Sequence, residues 1–219
     1  MTNFFLTIIK AIYGFTETIG IPNHGLTIVI ISILIKTVLF PLTRMQAKSM
    51  KAMQDLQPKL EKLKKQYGKD KEKLNIETAN LYKENKVNPM ASCLPLLVQF
   101  PIIIGLFQAM RAYFVPELGA SFLWIPNLGE PDLWILPIMA GLSTFVQQKA
   151  TMSGQNQTGA AASQQKTMLY IMPLFMAWIS RTFPAGLALY WFCYNVISTI
   201  EQLVIHGKIK LNRGEETAR

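Results

Sequence analysis

Long apolar runs alternate with polar joints along this chain. Five runs stand out, at about 25–43, 92–111, 133–149, 168–182 and 186–206. As helices rising about 1.5 Å per residue, each covers most or all of a ~30 Å hydrocarbon core. The third is interrupted by Pro137, Ser143, Thr144, Gln147 and Gln148, the fourth by Pro173. The pattern predicts an all-α integral membrane protein with five transmembrane helices. Neighbouring helices and local backbone adjustments satisfy the backbone groups that proline frees in such spans.

Two further segments are amphipathic. Phe4, Ile8, Ile12, Phe15 and Ile19 recur at helical spacing, with Thr7, Lys10, Glu17 and Thr18 elsewhere around the helix. This is not the pattern of an ordinary signal peptide, and residues 1–22 read as an amphipathic helix lying in the membrane interface. The most polar stretch, Arg44 to Lys86, separates the first two spans. In it Met50, Met53, Leu56, Leu60, Leu63 and Tyr67 form one helical stripe. Pro58 is expected to bend this helix, and Gly68 with Asp70 to turn the chain. Leu74, Leu81 and Tyr82 support a second helix, ended by Asn88-Pro89. Residues 45–88 therefore read as a helical hairpin within a core of residues 23–219. The core ends in a short tail at 207–219.

Charge sets the orientation. The chain has 219 residues, 50% hydrophobic and 16% charged, with a formal net charge of +9. On a soluble protein that excess would suggest nucleic acid. Here 18 of the 22 Lys/Arg fall in the joints after spans one, three and five, and none lies in 112–132. The positive-inside rule then places the N-terminus outside and the hairpin and C-terminus in the cytoplasm. Phe122 and Trp124, among several prolines, make the outer joint a structured cap at the headgroup level. The stretch TMSGQNQTGAAASQQ, Thr151–Gln165, reads as a small polar cytoplasmic loop.

Chemistry is sparse. Cys93 and Cys193 each sit inside an apolar run and read as buried hydrophobes. His24 and His206 have no ligand set beside them. No HExxH, GxSxG, paired aspartates or GxxxxGK[ST] appear, so neither an enzyme, a metal site nor an ATP site is expected, and no cofactor is implied.

Lys36 is the exception. It lies midway along the first span, where a lysine costs roughly 2.5–3.5 kcal/mol on translocon scales. It would pair with an acid, line a hydrated cavity, or simply be tolerated. Glu201 is the only acid within a span and lies near the cytoplasmic end of the fifth, which weakens the pairing reading. Thr37, Gln99, Gln108, Gln147, Gln148, Ser180 and Asn195 add polarity at membrane depth and favour a cavity, although some will be helix–helix hydrogen bonds. A transporter would usually show repeated halves, and none is found.

Three stretches resemble the YidC/Oxa family of membrane protein insertases: FPLTRMQAKSMKAMQDLQPKLEKLKKQYG, LYKENKVNPMASCLPLLVQFPIIIGLF and RTFPAGLALYWFCYN. The likeness runs from about Leu26 to His206. It implies five core helices around a polar groove, open to lipid and to the cytoplasm, closed outside, and carrying one positive residue. Lys36 stands where most members have arginine, which keeps the charge and loses the bidentate fork. Gln148 and Trp191 resemble groove-lining positions. Pro95, Gln99 and Pro101, and Tyr190 with the stretch Cys193–Val196 that includes Asn195, lie where the family contacts its clients.

The implied activity is insertion and folding of client helices with short translocated tails, without ATP hydrolysis. The implied partners are client membrane proteins and the lipid bilayer, with the ribosome, signal recognition machinery and a Sec translocon as further candidates. No specific nucleic-acid sequence is implied. The implied location is the bacterial plasma (inner) membrane. The alternative is a membrane chaperone that acts only beside a Sec-type translocon.

Overall fold

The computed structural model describes residues 1–87, 94–115, 118–152 and 160–217; the side chains at 94–99, 160–165 and 206–217 lie outside that description. Asn88-Pro89 and Cys93 also fall outside it. Eight α-helices follow one another among the described residues: α1 (Thr2–Thr18), α2 (His24–Asp55), α3 (Gln57–Tyr67), α4 (Lys71–Glu84), α5 (Leu94–Tyr113), α6 (Ile135–Met152), α7 (Ala160–Ile179) and α8 (Ala185–Thr217). A 3-10 turn, Ser180–Thr182, closes α7.

Helix starts follow local chemistry. Asn23 Oδ1 accepts from the Leu26 N–H at 2.9 Å, and Asp70 Oδ1 from the Lys73 N–H at 3.1 Å. Asp132 Oδ1 accepts from the N–H groups of Trp134 and Ile135 at 2.8 and 2.9 Å. Each side chain takes up a donor that a helix start leaves unpaired. α8 uses backbone instead: the N–H groups of Ala185 and Gly186 donate to the carbonyls of Glu130 and Leu128, both at 2.8 Å. The segment 114–134 is thereby tied over the first turn of α8 and forms the cap.

α2 is longer than the first apolar run. It passes through Pro41 and stops only at Asp55, so the span and the first part of the basic segment form one helix of 32 residues. Pro41 removes one backbone bond, to the Thr37 carbonyl, without ending the helix. The break falls at Leu56, with Pro58 in the first turn of α3, where its missing N–H is harmless. Lys59, early in α3, donates to Asn85 Oδ1, just past α4, at 3.3 Å, as an antiparallel pair requires. At the other end of the chain, residues 160–165 continue α7 and residues 207–217 continue α8, where a loop and a tail are expected.

α6 lies between α7 and α8, and α2 packs along α8. At Gly141 a Cβ would fall 2.9 Å from that of Ala177, so α6 and α7 cross closely there. α1 packs on α2 and α5 through Phe5, Ile9, Ile12 and Thr16. Of the stripe read from the sequence only Ile12 is buried among them. Phe4, Phe15 and Ile19 are exposed on the adjacent face.

The bundle wears its apolar residues outside. Ile138, Leu142 and Val146 on α6, and Leu174, Phe175 and Trp178 on α7, are all exposed. In water such a surface would drive association; in hydrocarbon it needs no partner. Among the described residues, α2 is the helix long and apolar enough by itself to span a membrane. α5 to α8 cover the positions of the other four runs.

Candidate functional site

The interior changes character from the cap end to the hairpin end. Below the cap, Ile28, Ile31, Leu106, Met110, Phe114, Ile125, Leu128 and Leu136 are almost fully buried. Tyr13 and His24 stack beside this layer with ring centres 4.0 Å apart. The Gly186 backbone lies so near Phe114 that a Cβ would meet the ring at 2.9 Å. These side chains make the cap end a close-packed apolar layer.

One step deeper, α6 and α8 are joined by hydroxyl and amide groups. Asn195 Nδ2 donates to Thr144 Oγ1 at 2.9 Å and to Ser143 Oγ at 3.2 Å. Trp191 Nε1 donates to the same Thr144 Oγ1 at 3.0 Å. Ser143 and Thr144 also donate back to the Ala140 carbonyl. The network fixes the register of the two helices, as interhelical hydrogen bonds do where no water competes.

Deeper again lies an ion pair. Lys36 Nζ sits 2.7 Å from Glu201 Oε2, with the two side chains 5% and 10% exposed. The ammonium also lies 4.4 Å from the centre of the Tyr194 ring, a favourable placement over the ring's negative face. Lys36 is therefore paired, against the expectation that no acid was well placed. The reason is geometric. α2 and α8 both descend from the cap, and Lys36 lies about 18 Å down its helix and Glu201 about 24 Å down the other. An extended lysine side chain, itself directed by snorkelling toward the polar end, bridges that offset.

Beside the pair is a cavity of about 260 Å³. Lys36, Thr43, Gln46, Gln147, Tyr194, Ser198 and Gln202 line it with Leu39, Leu42 and Ile103. Gln46 and Gln202 bring it toward the hairpin end. Lys36 thus serves both the pairing and the cavity readings: it pairs with Glu201 and lines the cavity.

The remaining sequence candidates divide. Trp191 and Asn195 hold α6 to α8 and do not line the cavity. Tyr190 is buried in the apolar layer. Gln147, not Gln148, reaches the cavity; Gln148 Oε1 is buried without a hydrogen-bond partner among the described residues. Pro101 is exposed on α5, while the side chains of Pro95 and Gln99 lie outside the described residues. The spacing of Tyr194, Ser198 and Gln202 by four was the available signal for a polar helix face.

A helical membrane bundle, sealed at one end and carrying a charged, half-buried cavity toward the other, defines the class. Sequence comparison narrows it. The profile of the family described as 60Kd inner membrane protein matches residues 14–213. The chain is 46% identical over 187 residues to the membrane protein insertase YidC of Fusobacterium nucleatum, covering 85% of this chain and 87% of that protein. It is 44% identical over 191 residues to the insertase MisCA of Bacillus subtilis, covering 84% of this chain and 71% of that one. A crystal structure of an active YidC insertase with its first transmembrane domain resolved superposes with a TM-score of 0.65 at 27% identity. The match covers 90% of this chain and 45% of that one. The chain belongs to the YidC/Oxa family of membrane protein insertases, a family of the bacterial inner membrane.

Proposed function

We propose that this protein inserts client transmembrane helices with short polar tails into the bilayer. The observation that carries the reading is the cavity at Lys36, polar toward the hairpin and shut by packed side chains toward the cap. A tail entering from the hairpin side exchanges bulk water for Gln46, Gln147, Ser198 and Gln202. Its desolvation cost falls, because polar groups lose least when they regain partners. Lys36 adds attraction for acidic tails, stronger there than in water. The client helix then leaves along the exposed apolar faces into lipid, a step driven by apolar transfer. No ATP hydrolysis is required by this route.

The topology that fits is five spans, formed by α2 and α5 to α8. The N-terminus and cap lie outside, the α3–α4 hairpin and C-terminus in the cytoplasm, and α1 at the outer interface. Eighteen of the 22 Lys/Arg lie on the cytoplasmic side in this arrangement. The basic hairpin is then placed to meet anionic lipid, the ribosome, signal recognition machinery or a Sec translocon.

The test is reconstitution of the purified chain into protein-free liposomes, followed by protease protection of a single-span client. Protection that depends on the protein supports an autonomous insertase. Protection no greater than in empty liposomes sinks that reading in favour of a chaperone beside a translocon.

A further inference from the structure

The proposed groove charge is not free in the empty protein. Glu201 already holds it at 2.7 Å, in surroundings where both groups are nearly excluded from solvent. Glu201 Oε2 meets no hydrogen-bond donor of another kind among the described residues. Lys36 is the cation paired with this oxygen. Lys36 lines the 260 Å³ cavity and Glu201 is not among its lining residues, so a carboxylate that enters the cavity meets the lysine rather than the glutamate.

We propose that Glu201 is an internal competitor that occupies Lys36 until a carboxylate of the client displaces it. The inference rests on the insertase reading and adds a specificity-determining residue to it. Removing one partner of a buried pair leaves an uncompensated charge, a strongly unfavourable state. Exchange keeps Lys36 paired throughout and moves the cost to Glu201, whose carboxylate must regain polar partners once displaced. Ser198 and Gln202, within one helical turn of Glu201 in sequence, are the polar groups of α8 to which the released carboxylate would turn. A neutral tail offers no carboxylate and leaves the pair closed. An acidic tail gains only the difference between its own attraction and that of Glu201. The pair thus raises the threshold for acidic tails: a carboxylate must reach the ammonium directly, and distant acidic residues, screened by Glu201, gain little.

The groups facing the pair are the Tyr194 ring on α8 and the polar cavity lining. Among the described residues no second ion pair involves either partner. Exchange is therefore a contest between two carboxylates for one ammonium.

The experiment is equilibrium binding of fluorescent tail peptides, one with two aspartates and one with two asparagines, to the full chain in liposomes. Wild type, Glu201→Gln and Glu201→Asp are compared at fixed salt. Glu201→Gln should raise the ratio of acidic to neutral affinity about tenfold, the scale on which close charge pairs couple. Glu201→Asp, which keeps the charge on a shorter stem, should raise it less. An unchanged ratio in both variants, or a fall, overturns the proposal. If the glutamine variant does not fold, the aspartate variant decides alone by the same criterion. Because the readout is binding, it is independent of protease protection: a wild type that inserts nothing refutes the insertase reading, while the affinity ratios still judge the exchange.

Discussion

Gly25, in the first turn of α2, lies directly beneath Phe122 of the cap: a Cβ built there would run into the Phe122 ring. The ring covers the glycine, and the segment carrying it is held by the reciprocal backbone bonds between Phe122 and Ile125 and by the bond from Leu128 to Ala120. Gly25→Ala must push Phe122 out or tilt α2. Overpacking of this kind costs roughly 1–3 kcal/mol. Thermal unfolding in detergent should show the loss, and Phe122→Ala should remove most of the additional penalty, making the two changes non-additive.

Stability should respond to the ion pair as a unit. Lys36→Leu or Glu201→Leu leaves the other charge buried alone, and each should destabilise by about 3–5 kcal/mol. The double leucine variant should recover most of that loss, since an apolar pair of similar size suits the site. A double-mutant cycle on reversible unfolding measures the coupling. Single variants as stable as wild type would mean the pair is open to water.

Insertion should separate charge from shape. Lys36→Arg keeps a cation and should retain insertion of both client types. Lys36→Leu should impair clients with acidic tails several-fold more than neutral ones. Protease protection in liposomes reads both, and an equal loss for the two client types would remove the electrostatic role.

Thr144 is the shared acceptor of Trp191 and Asn195. Thr144→Val deletes both bonds at little change of volume. Interhelical hydrogen bonds in membranes average about 0.6 kcal/mol and reach about 1.7. The expected loss is thus about 1–2 kcal/mol, larger than for Trp191→Phe, which removes one bond. Unfolding midpoints of the two variants check the order.

Asp132 caps α6 with two bonds. Asp132→Ala should cost about 0.5–2 kcal/mol and Asp132→Asn much less. Hydrogen exchange of the Trp134 and Ile135 amides should quicken in the alanine variant while α8 stays protected.

The helices were legible where apolar runs were long, and the site only in part. The first apolar run was read as ending near residue 43, yet α2 runs on to Asp55, because the polar residues that follow continue the helix beyond the apolar run. Phe4, Phe15 and Ile19 made as good a stripe on paper as Phe5, Ile9 and Ile12, and only the neighbours α2 and α5 decide between two adjacent apolar faces. The Lys36–Glu201 contact required the relative depth of two helices 165 positions apart in sequence, which no local pattern encodes. Asn195 was recognisable as a polar group at depth and Trp191 by its resemblance to a groove-lining position, but whether they face a cavity or a helix depends on Ser143 and Thr144 opposite them.

The packed layer under the cap also determines where an electrical potential acts. Voltage falls mainly across matter that ions and water cannot enter. In the topology proposed above, polar groups at the hairpin end and close-packed side chains at the cap end would confine most of the drop to the outer part of the bundle. The same voltage over a shorter distance is a steeper field. An acidic residue poised at Lys36 would stand at the edge of that field, with up to about 2.3 kcal/mol per charge available for each 100 mV. In that arrangement the packed layer would also be the element that concentrates the pull on a departing tail.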